Sequence, residues 1–593
     1  MADKHIATPI IQEIDYNNTD LQRLKDPLLL TYPTVYVIHD DSSQQFTLYV
    51  GETTDIKRRT IEHMDIDPNT RDDWHQLAQS TNVKMIVIGH EHFNKSMTLD
   101  IENQLMLYLS GTKAVKRLNN RRTNPQGLYY PIEERNQIFS KIWRKLHLLH
   151  RDIFPVERVI RNSALFKASP FHELTEEQKD ARQLIFERIT QTLQNQQTGQ
   201  LILVEGDAGS GKTVLLSTLF YEMVSTLNQQ GQALQEGDSP LSAALLINHD
   251  EQLKVYQDIM AKLGITNKND NQVDKPTRFI NNHTVTEPVD VVLVDEAHLM
   301  WTQGKQSYRG KNQLYDLLNR ARIVIAVFDR HQVLTTTGYW EDNLRLSLED
   351  KAAKAGNLIH LKQQLRIQAS ETVTQWLDTF VHQHRVTALP TDSKYDLRVF
   401  KSPADLYHAI SERAADEDHG LSRMLATFDW PYKDEGDNHG ELWQVKIGNW
   451  SMPWNLQLNA ANPTEKRRNR TLAWAEQKQT INEIGSTFTI QGFDLNYAGV
   501  IIGPSIKYRN GKVIFDPSAS ENKRAKNRRT MADGSKQVVA DELLENELNV
   551  LLTRGVHGLY IFAVDPELQQ ALMKAQQQEF REKMVAENSD QYD

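Results

Sequence analysis

The chain has 593 residues, a formal net charge of −10, 39% hydrophobic and 25% charged residues, and no cysteine. On a prior of ~150 residues per domain this length predicts about four domains, and the composition is that of a globular protein in water. The absence of cysteine excludes disulfides, thiol catalysis and cysteine-ligated zinc. No run approaches the ~18 apolar residues of a membrane span. The opening Met1-Ala2-Asp3-Lys4-His5 lacks a basic region followed by an apolar one, so no secretory leader, a cytoplasmic location and no membrane partner are expected. The acidic total argues against indiscriminate nucleic-acid binding, but basic runs at Lys57-Arg58-Arg59, 113–122, Lys466-Arg467-Arg468 and 523–529 are candidates for phosphate-backbone contacts.

In chain order, 34–38 (TVYVI) and 46–51 (FTLYVG) are β-rich runs joined by a polar stretch, the pattern of a hairpin. A helix is predicted from about Asp55, with Arg59 and His63 four residues apart on one face. An apolar strand over 83–88 precedes a helix over 96–109 that carries Glu102, and Leu118-Asn119-Asn120 closes the set. This order resembles the GIY-YIG nuclease family, with Thr34-Val35-Tyr36 in the place of the first triplet and Tyr49-Val50-Gly51 in the place of the second. The family's Gly and Ile are replaced by Thr34 and Val35. The resemblance, over roughly 30–125, implies that Tyr36 and Tyr49 flank the attacking water, with His63 beside Arg59 among the catalytic candidates. It also implies that Arg59 stabilises charge on phosphorus, that Glu102 binds a single Mg²⁺ or Mn²⁺, and that Asn119, or else Asn120, fills a late asparagine position. Phosphodiester cleavage uses such a set: a Lewis acid, a cation and a proton acceptor.

Ile138, Phe139, Ile142, Leu146 and Leu149 recur at the spacing of one apolar helix face, so 131–172 is expected to be a helical connector. The apolar run 201–204 then enters Gly206-Asp207-Ala208-Gly209-Ser210-Gly211-Lys212-Thr213, a phosphate loop opening a helix. Gly206, Gly209 and Gly211 let backbone N–H groups face phosphate, Lys212 adds positive charge at the β- and γ-phosphates, and Thr213 offers a hydroxyl to Mg²⁺. A second apolar run, 291–294, ends in Asp295-Glu296-Ala297-His298, where Asp295 should help hold Mg²⁺ and Glu296 activate water.

Around these motifs, Leu174-Thr175-Glu176-Glu177-Gln178 resembles the adenine-reading element of superfamily 1 helicases. Asp329 with Gln332 resembles their γ-phosphate sensor, and 361–366 and 551–555 supply Arg366 and Arg554 as candidate arginine fingers. With 423–430 and 491–504, residues 173–570 resemble bacterial relatives of the Schlafen helicase-like domain. The fold expected is α/β: a small α+β GIY-YIG-like nuclease domain (1–130), the connector (131–172), a RecA-like lobe that binds ATP (173–345), and a second RecA-like lobe (346–593) with a mobile insertion near 505–541. The expected function is an ATP- and Mg²⁺-dependent nucleic-acid motor with a metal-dependent nuclease, acting on DNA rather than RNA in phage defence or repair. Two alternatives stay open: an ATP-switched binding protein with an idle nuclease fold, and an RNA-cleaving enzyme.

Overall fold

The computed structural model describes the chain except residues 1–6, 41–44, 70–73, 76, 78, 81, 120–127, 162, 207–208, 228–231, 234–239, 266–271, 305–307, 365–366, 417–419, 434–440, 470–471 and 590–593. Contacts divide the chain into two compact units. Met1–Asn195, Thr213–Leu245 and Gln252–Asp274 form the first; Gln196–Lys212, Leu246–Glu251 and Lys275–Asp593 form the second.

Unit 1 is built on a five-stranded sheet of β1 (Ile10–Asp15), β2 (Thr34–Asp40), β3 (Phe46–Thr53), β4 (Val83–Gly89) and β5 (Val115–Asn119), in the order β1-β4-β2-β3-β5. The expected hairpin forms with Tyr36 opposite Gly51, and β5 joins parallel to β3 with Asn119 opposite Tyr49. Strand alternation sends Tyr36 and Ile38 to one face and Val35, Val37 and His39 to the other. The first face packs with Tyr49, Ile56 and Trp74, whereas Val35 and Val37 share a core with Ile101 and Leu105 of helix Lys95–Ser110.

The connector belongs to that second core. Helix Arg135–Leu149 buries Ile138, Phe139, Ile142 and Leu146 there, but Leu149, on its last turn, is 47% exposed and takes no part in that core. The helix Ile56–Asp65 starts where Asp55 caps the Arg58 N–H, as a side-chain oxygen at a helix start should.

Unit 2 carries two parallel sheets. Strands β6 (Gln200–Gly206), β9 (Val289–Asp295), β10 (Ala321–Phe328) and β11 (Leu358–Leu361) lie in the order β11-β6-β10-β9; β7 (Ala243–Ile247) and β8 (Val273–Asp274) fall between β6 and β9 in sequence. Val291–Val294 and Ile323–Val327 are wholly buried, which is why these strands read as unbroken apolar runs: parallel strands are covered on both faces.

The second sheet orders β12 (Asp396–Val399), β13 (Arg423–Ala426), β16 (Ile484–Gly485), β17 (Leu495–Ile502) and β22 (Gly555–Ala563) as β12-β22-β17-β13-β16, with β14 (Gln444–Ile447) and β15 (Trp450–Pro453) forming a side hairpin. The stretch expected as a mobile insertion carries the antiparallel pairs β18 (Ile506–Arg509) with β19 (Lys512–Phe515), and β20 (Arg529–Thr530) with β21 (Lys536–Gln537). Its polarity is used internally. Arg529, counted in a basic surface run, is 2% exposed and donates to Thr302 Oγ1 at 2.9 Å and to the Thr336 carbonyl. The last stretch is helical over Pro566–Ser589.

Candidate functional site: a phosphate-loop centre and a tyrosine-histidine cluster

In unit 2, β6 ends at Gly206, where a Cβ would meet Ser210 Oγ at 2.5 Å and the Leu361 carbonyl oxygen at 2.8 Å. Gly209 and Gly211 have φ of 91° and 78°, the left-handed region that favours glycine. The Lys212 ammonium donates to the Gly206 carbonyl at 2.5 Å and lies 3.4 Å from Asp329 Oδ2. It is thus held in the crook of the loop that the sequence assigned to phosphate.

A hydrogen-bonded path leaves this lysine. Gln332 Nε2 donates to Asp329 Oδ2 at 2.6 Å, and Arg554 Nη2 donates to Gln332 Oε1 at 3.2 Å. Arg554 is fully buried and also donates to the Val550 carbonyl at 2.8 Å. Helix Ala540–Leu552, which leads to Arg554, is docked by Asn546 Nδ2 donating to the Val333 carbonyl at 3.0 Å. Elements of the two sheets therefore meet through the residues that the sequence assigned to γ-phosphate sensing and to an arginine finger.

Asp295, at the end of β9, is 1% exposed and accepts the Glu296 N–H at 3.0 Å. Glu296 sits at φ 50°, a left-handed position for a non-glycine residue, and its carboxylate lies 3.0 Å from His298 Nε2. That contact is close but poorly aligned for a hydrogen bond. Burial alone would raise the Glu296 pKa; His298, then Lys212 and Arg554, outweigh it and hold the carboxylate ionised, below its usual range. Asp329 is treated the same way: burial opposes ionisation, while Lys212, His298 and Gln332 favour it. His298 is the residue whose role the sequence reading did not assign, although it stood in the quoted Asp-Glu-Ala-His string.

Thr213 follows Lys212 on the first turn of helix Lys212–Thr226. Gln178, in unit 1, closes a capping box: its Oε1 accepts the Thr175 N–H at 2.9 Å. Arg366 and Asn120 lie outside the described residues.

The second cluster lies in unit 1. Tyr36 and Tyr49 are stacked with ring centroids 6.1 Å apart, and a Cβ on Gly51 would come within 2.5 Å of Tyr36 and 2.9 Å of Tyr49. The glycine makes room for the tyrosine pair. Tyr36 Oη lies 2.6 Å from His63 Nε2, whose other ring nitrogen, Nδ1, is bonded to Asp67 Oδ2. With Nδ1–H donating to the carboxylate, Nε2 accepts from the phenol. Trp74 stacks on His63 at 3.9 Å and fixes the ring plane.

Arg59 donates to Glu62 at 3.0 Å and interacts with both tyrosines. Burial, then Tyr49 and Glu102, raise the Tyr36 pKa well above that of a free phenol against the opposing charge of Arg59, so the ring stays protonated at neutral pH. Glu102 is 5% exposed. Asn119, opposite Tyr49, accepts from Arg117 Nε at 3.1 Å, and its buried Nδ2 has no hydrogen-bond partner among the described residues. The sequence reading missed Asp67 and Trp74. Asp67 stands one helical turn past His63, a signal that was present, whereas Trp74 carries no local one.

A glycine loop between a parallel strand and a helix, with a buried lysine and a strand-end Asp-Glu pair, defines a phosphate-loop nucleoside-triphosphatase. Residues 199–565, more than half of the chain, match the family described as Schlafen group 3, DNA/RNA helicase domain, and the chain belongs to that family. The matched stretch is a helicase-like ATPase domain, and the family implies the use of ATP with Mg²⁺. The chain is also 32% identical over 400 residues to the uncharacterized protein YPL245W of Saccharomyces cerevisiae, covering 63% of this chain and 84% of that protein. A solved structure titled for DNA unwinding at forked DNA by two Pif1 helicases matches 67% of this chain and 94% of its own, at 12% identity and a TM-score of 0.25, too low to bear on the fold. No helix among the described residues is long and apolar enough to cross a membrane.

Proposed function

We propose that the chain is an ATP-driven nucleic-acid motor joined to a metal-dependent nuclease, with DNA as the polymer. The domain division expected from sequence is retained in this proposal: nuclease over 1–130, connector over 131–172, and ATPase lobes over 173–345 and 346–593.

The observation that supports the motor is the path Lys212–Asp329–Gln332–Arg554, because a γ-phosphate at Lys212 would meet, through two residues, the arginine carried by the second lobe. Mg²⁺ would be held by Asp295 and by the Thr213 hydroxyl, which the chain places next to Lys212. The ion would offset phosphate charge, and the ionised Glu296 would orient and deprotonate the attacking water. Arg366 is the second arginine in this proposal, and Gln178 the adenine reader.

The nuclease reading is supported by the cluster of Tyr36, Tyr49, Arg59 and His63 on one sheet face, with Glu102 acting on the same phenol. Tyr36 is neutral, so it would work as a relay: water gives a proton to Tyr36 Oη as the phenol proton passes to His63 Nε2. The resulting imidazolium faces Asp67. Arg59 supplies the cation for charge developing on phosphorus, Glu102 would hold the divalent ion, and Asn119, whose Nδ2 has no partner among the described residues, would lie beside the tyrosine pair. The replaced first triplet favours one rival: with Thr34 and Val35 fully buried where the family has Gly and Ile, an idle nuclease fold that only docks on nucleic acid is the alternative. A cutter on a motor fits the restriction of foreign DNA or repair.

Incubating the purified protein with labelled single-stranded, duplex and forked DNA and RNA, with and without ATP and Mg²⁺, tests the reading. ATP hydrolysis stimulated by DNA together with metal-dependent cutting is the expected result. Stimulation and cutting by RNA alone would replace DNA as the substrate, and nucleic-acid binding without cutting would leave the docking module.

A further inference from the structure

On the face of the unit 1 sheet opposite the tyrosine pair, three side chains from separate elements converge. Glu13 comes from β1, His39 from β2, and His150 directly follows helix Arg135–Leu149. The two Nε2 atoms lie 3.1 Å and 2.5 Å from the same carboxylate oxygen, Glu13 Oε1, and the imidazoles meet edge to face at 4.9 Å. The side chain of His39 is fully buried, while those of Glu13 and His150 are 24% and 23% exposed, so the cluster has a wall in the core and a mouth to water.

The geometry points to a binding site for a first-row divalent ion of the zinc class, held by His39 Nε2, His150 Nε2 and a Glu13 oxygen. Two imidazoles and one carboxylate are a donor set that such ions take, with water in the fourth position. Around tetrahedral zinc, with bonds of ~2.0–2.1 Å, neighbouring donor atoms stand about 3.4 Å apart. The candidate donor atoms all lie within 4.8 Å of one another, so modest side-chain rotation brings them to that spacing.

Both histidines bind as neutral rings, and an ion at Nε2 takes the place of the proton that each now directs at Glu13. The opposing group is Lys84, whose Nζ is 3.9 Å from the other carboxylate oxygen, Oε2. It disfavours a cation and tunes affinity downwards without blocking the donors, since it is 37% exposed and can swing outward. The ion would tie β1 and β2 to the end of the helix that packs over them, a role separate from any ion at Glu102.

The test uses the full-length protein, stripped with chelator and titrated with Zn²⁺ by calorimetry, with bound metal counted after gel filtration. Glu102→Ala should still bind one equivalent, and adding His150→Ala or Glu13→Gln to it should weaken that binding at least tenfold while keeping ATP hydrolysis. Lys84→Gln should tighten it. Zinc-edge absorption of the loaded wild type, which needs no variant, should show two imidazoles around the metal. Failure of the wild type to bind zinc, a metal shell without imidazole, or affinity unchanged when His150→Ala is added to Glu102→Ala in a folded protein would each overturn the site.

Discussion

At the level of single residues, the two acid–base centres differ in protonation: the Glu296 carboxylate is held ionised and the Tyr36 phenol neutral. Glu296 is held ionised by His298, Lys212 and Arg554 against the effect of burial, so Glu296→Gln should keep nucleotide binding and lose hydrolysis, read by ATP titration alongside turnover. Lys212→Ala should abolish turnover, because its ammonium is the charge placed in the loop. Arg554→Ala should lower turnover by roughly 10³-fold or more with little change in ATP affinity. Normal turnover in that variant would reduce Arg554 to an internal tie between Gln332 and Val550. In the proposed nuclease, the neutral Tyr36 would hand the role of base to His63. His63→Ala should therefore slow strand cutting by roughly 10²- to 10⁴-fold. Asp67→Asn should give a smaller loss and shift the pH–rate profile, a signature that mere structural support would not produce.

The elements explain which parts of this were readable in advance. Strands β6, β9 and β10 were legible as apolar runs because parallel strands are buried on both faces, and the glycine loop because few backbones approach phosphate so closely. The hairpin that aligns Tyr36 with Gly51 was legible as alternation and a polar turn. In the insertion, the polar and basic composition gave no sign of the hydrogen bonds that Arg529 forms within unit 2, because no local pattern shows them. Trp74 was illegible for the same reason: its contact with His63 is tertiary.

Two predictions belong at this level. Gly51→Ala places a methyl within 2.5 Å of Tyr36 and should destabilise unit 1 by about 1–3 kcal/mol, measured by urea unfolding, while displacing the tyrosine pair. In helix Ala540–Leu552, burial and then the Asp429 carboxyl push the Glu547 pKa from 4.5 up to about 8. The native state thus favours the neutral acid, while the unfolded chain ionises it near 4.5. The contribution of Glu547 to stability is intact below that pH and is lost as pH rises towards 8, by up to ~1.4 kcal/mol per pH unit. The urea midpoint of unit 2 should fall from pH 5.5 to pH 8 and flatten in Glu547→Gln, whose amide mimics the neutral acid; an unchanged slope would contradict the assignment.

For the whole molecule, the proposed function puts two chemistries on separate sets of residues: the tyrosine–histidine cluster within unit 1, and the Lys212–Arg554 path within unit 2. Family membership reaches over 199–565 and leaves the amino-terminal unit to its own geometry. The most direct measurement is therefore made on that unit, comparing wild type, Glu102→Ala and Lys212→Ala side by side for ATP hydrolysis and for cutting of labelled forked DNA in Mg²⁺ or Mn²⁺. Glu102→Ala should hydrolyse ATP at the wild-type rate and cut no strand, and Lys212→Ala should hydrolyse no ATP. Strand cutting that persists in Glu102→Ala, or that no metal elicits from the wild type, would contradict the proposed nuclease.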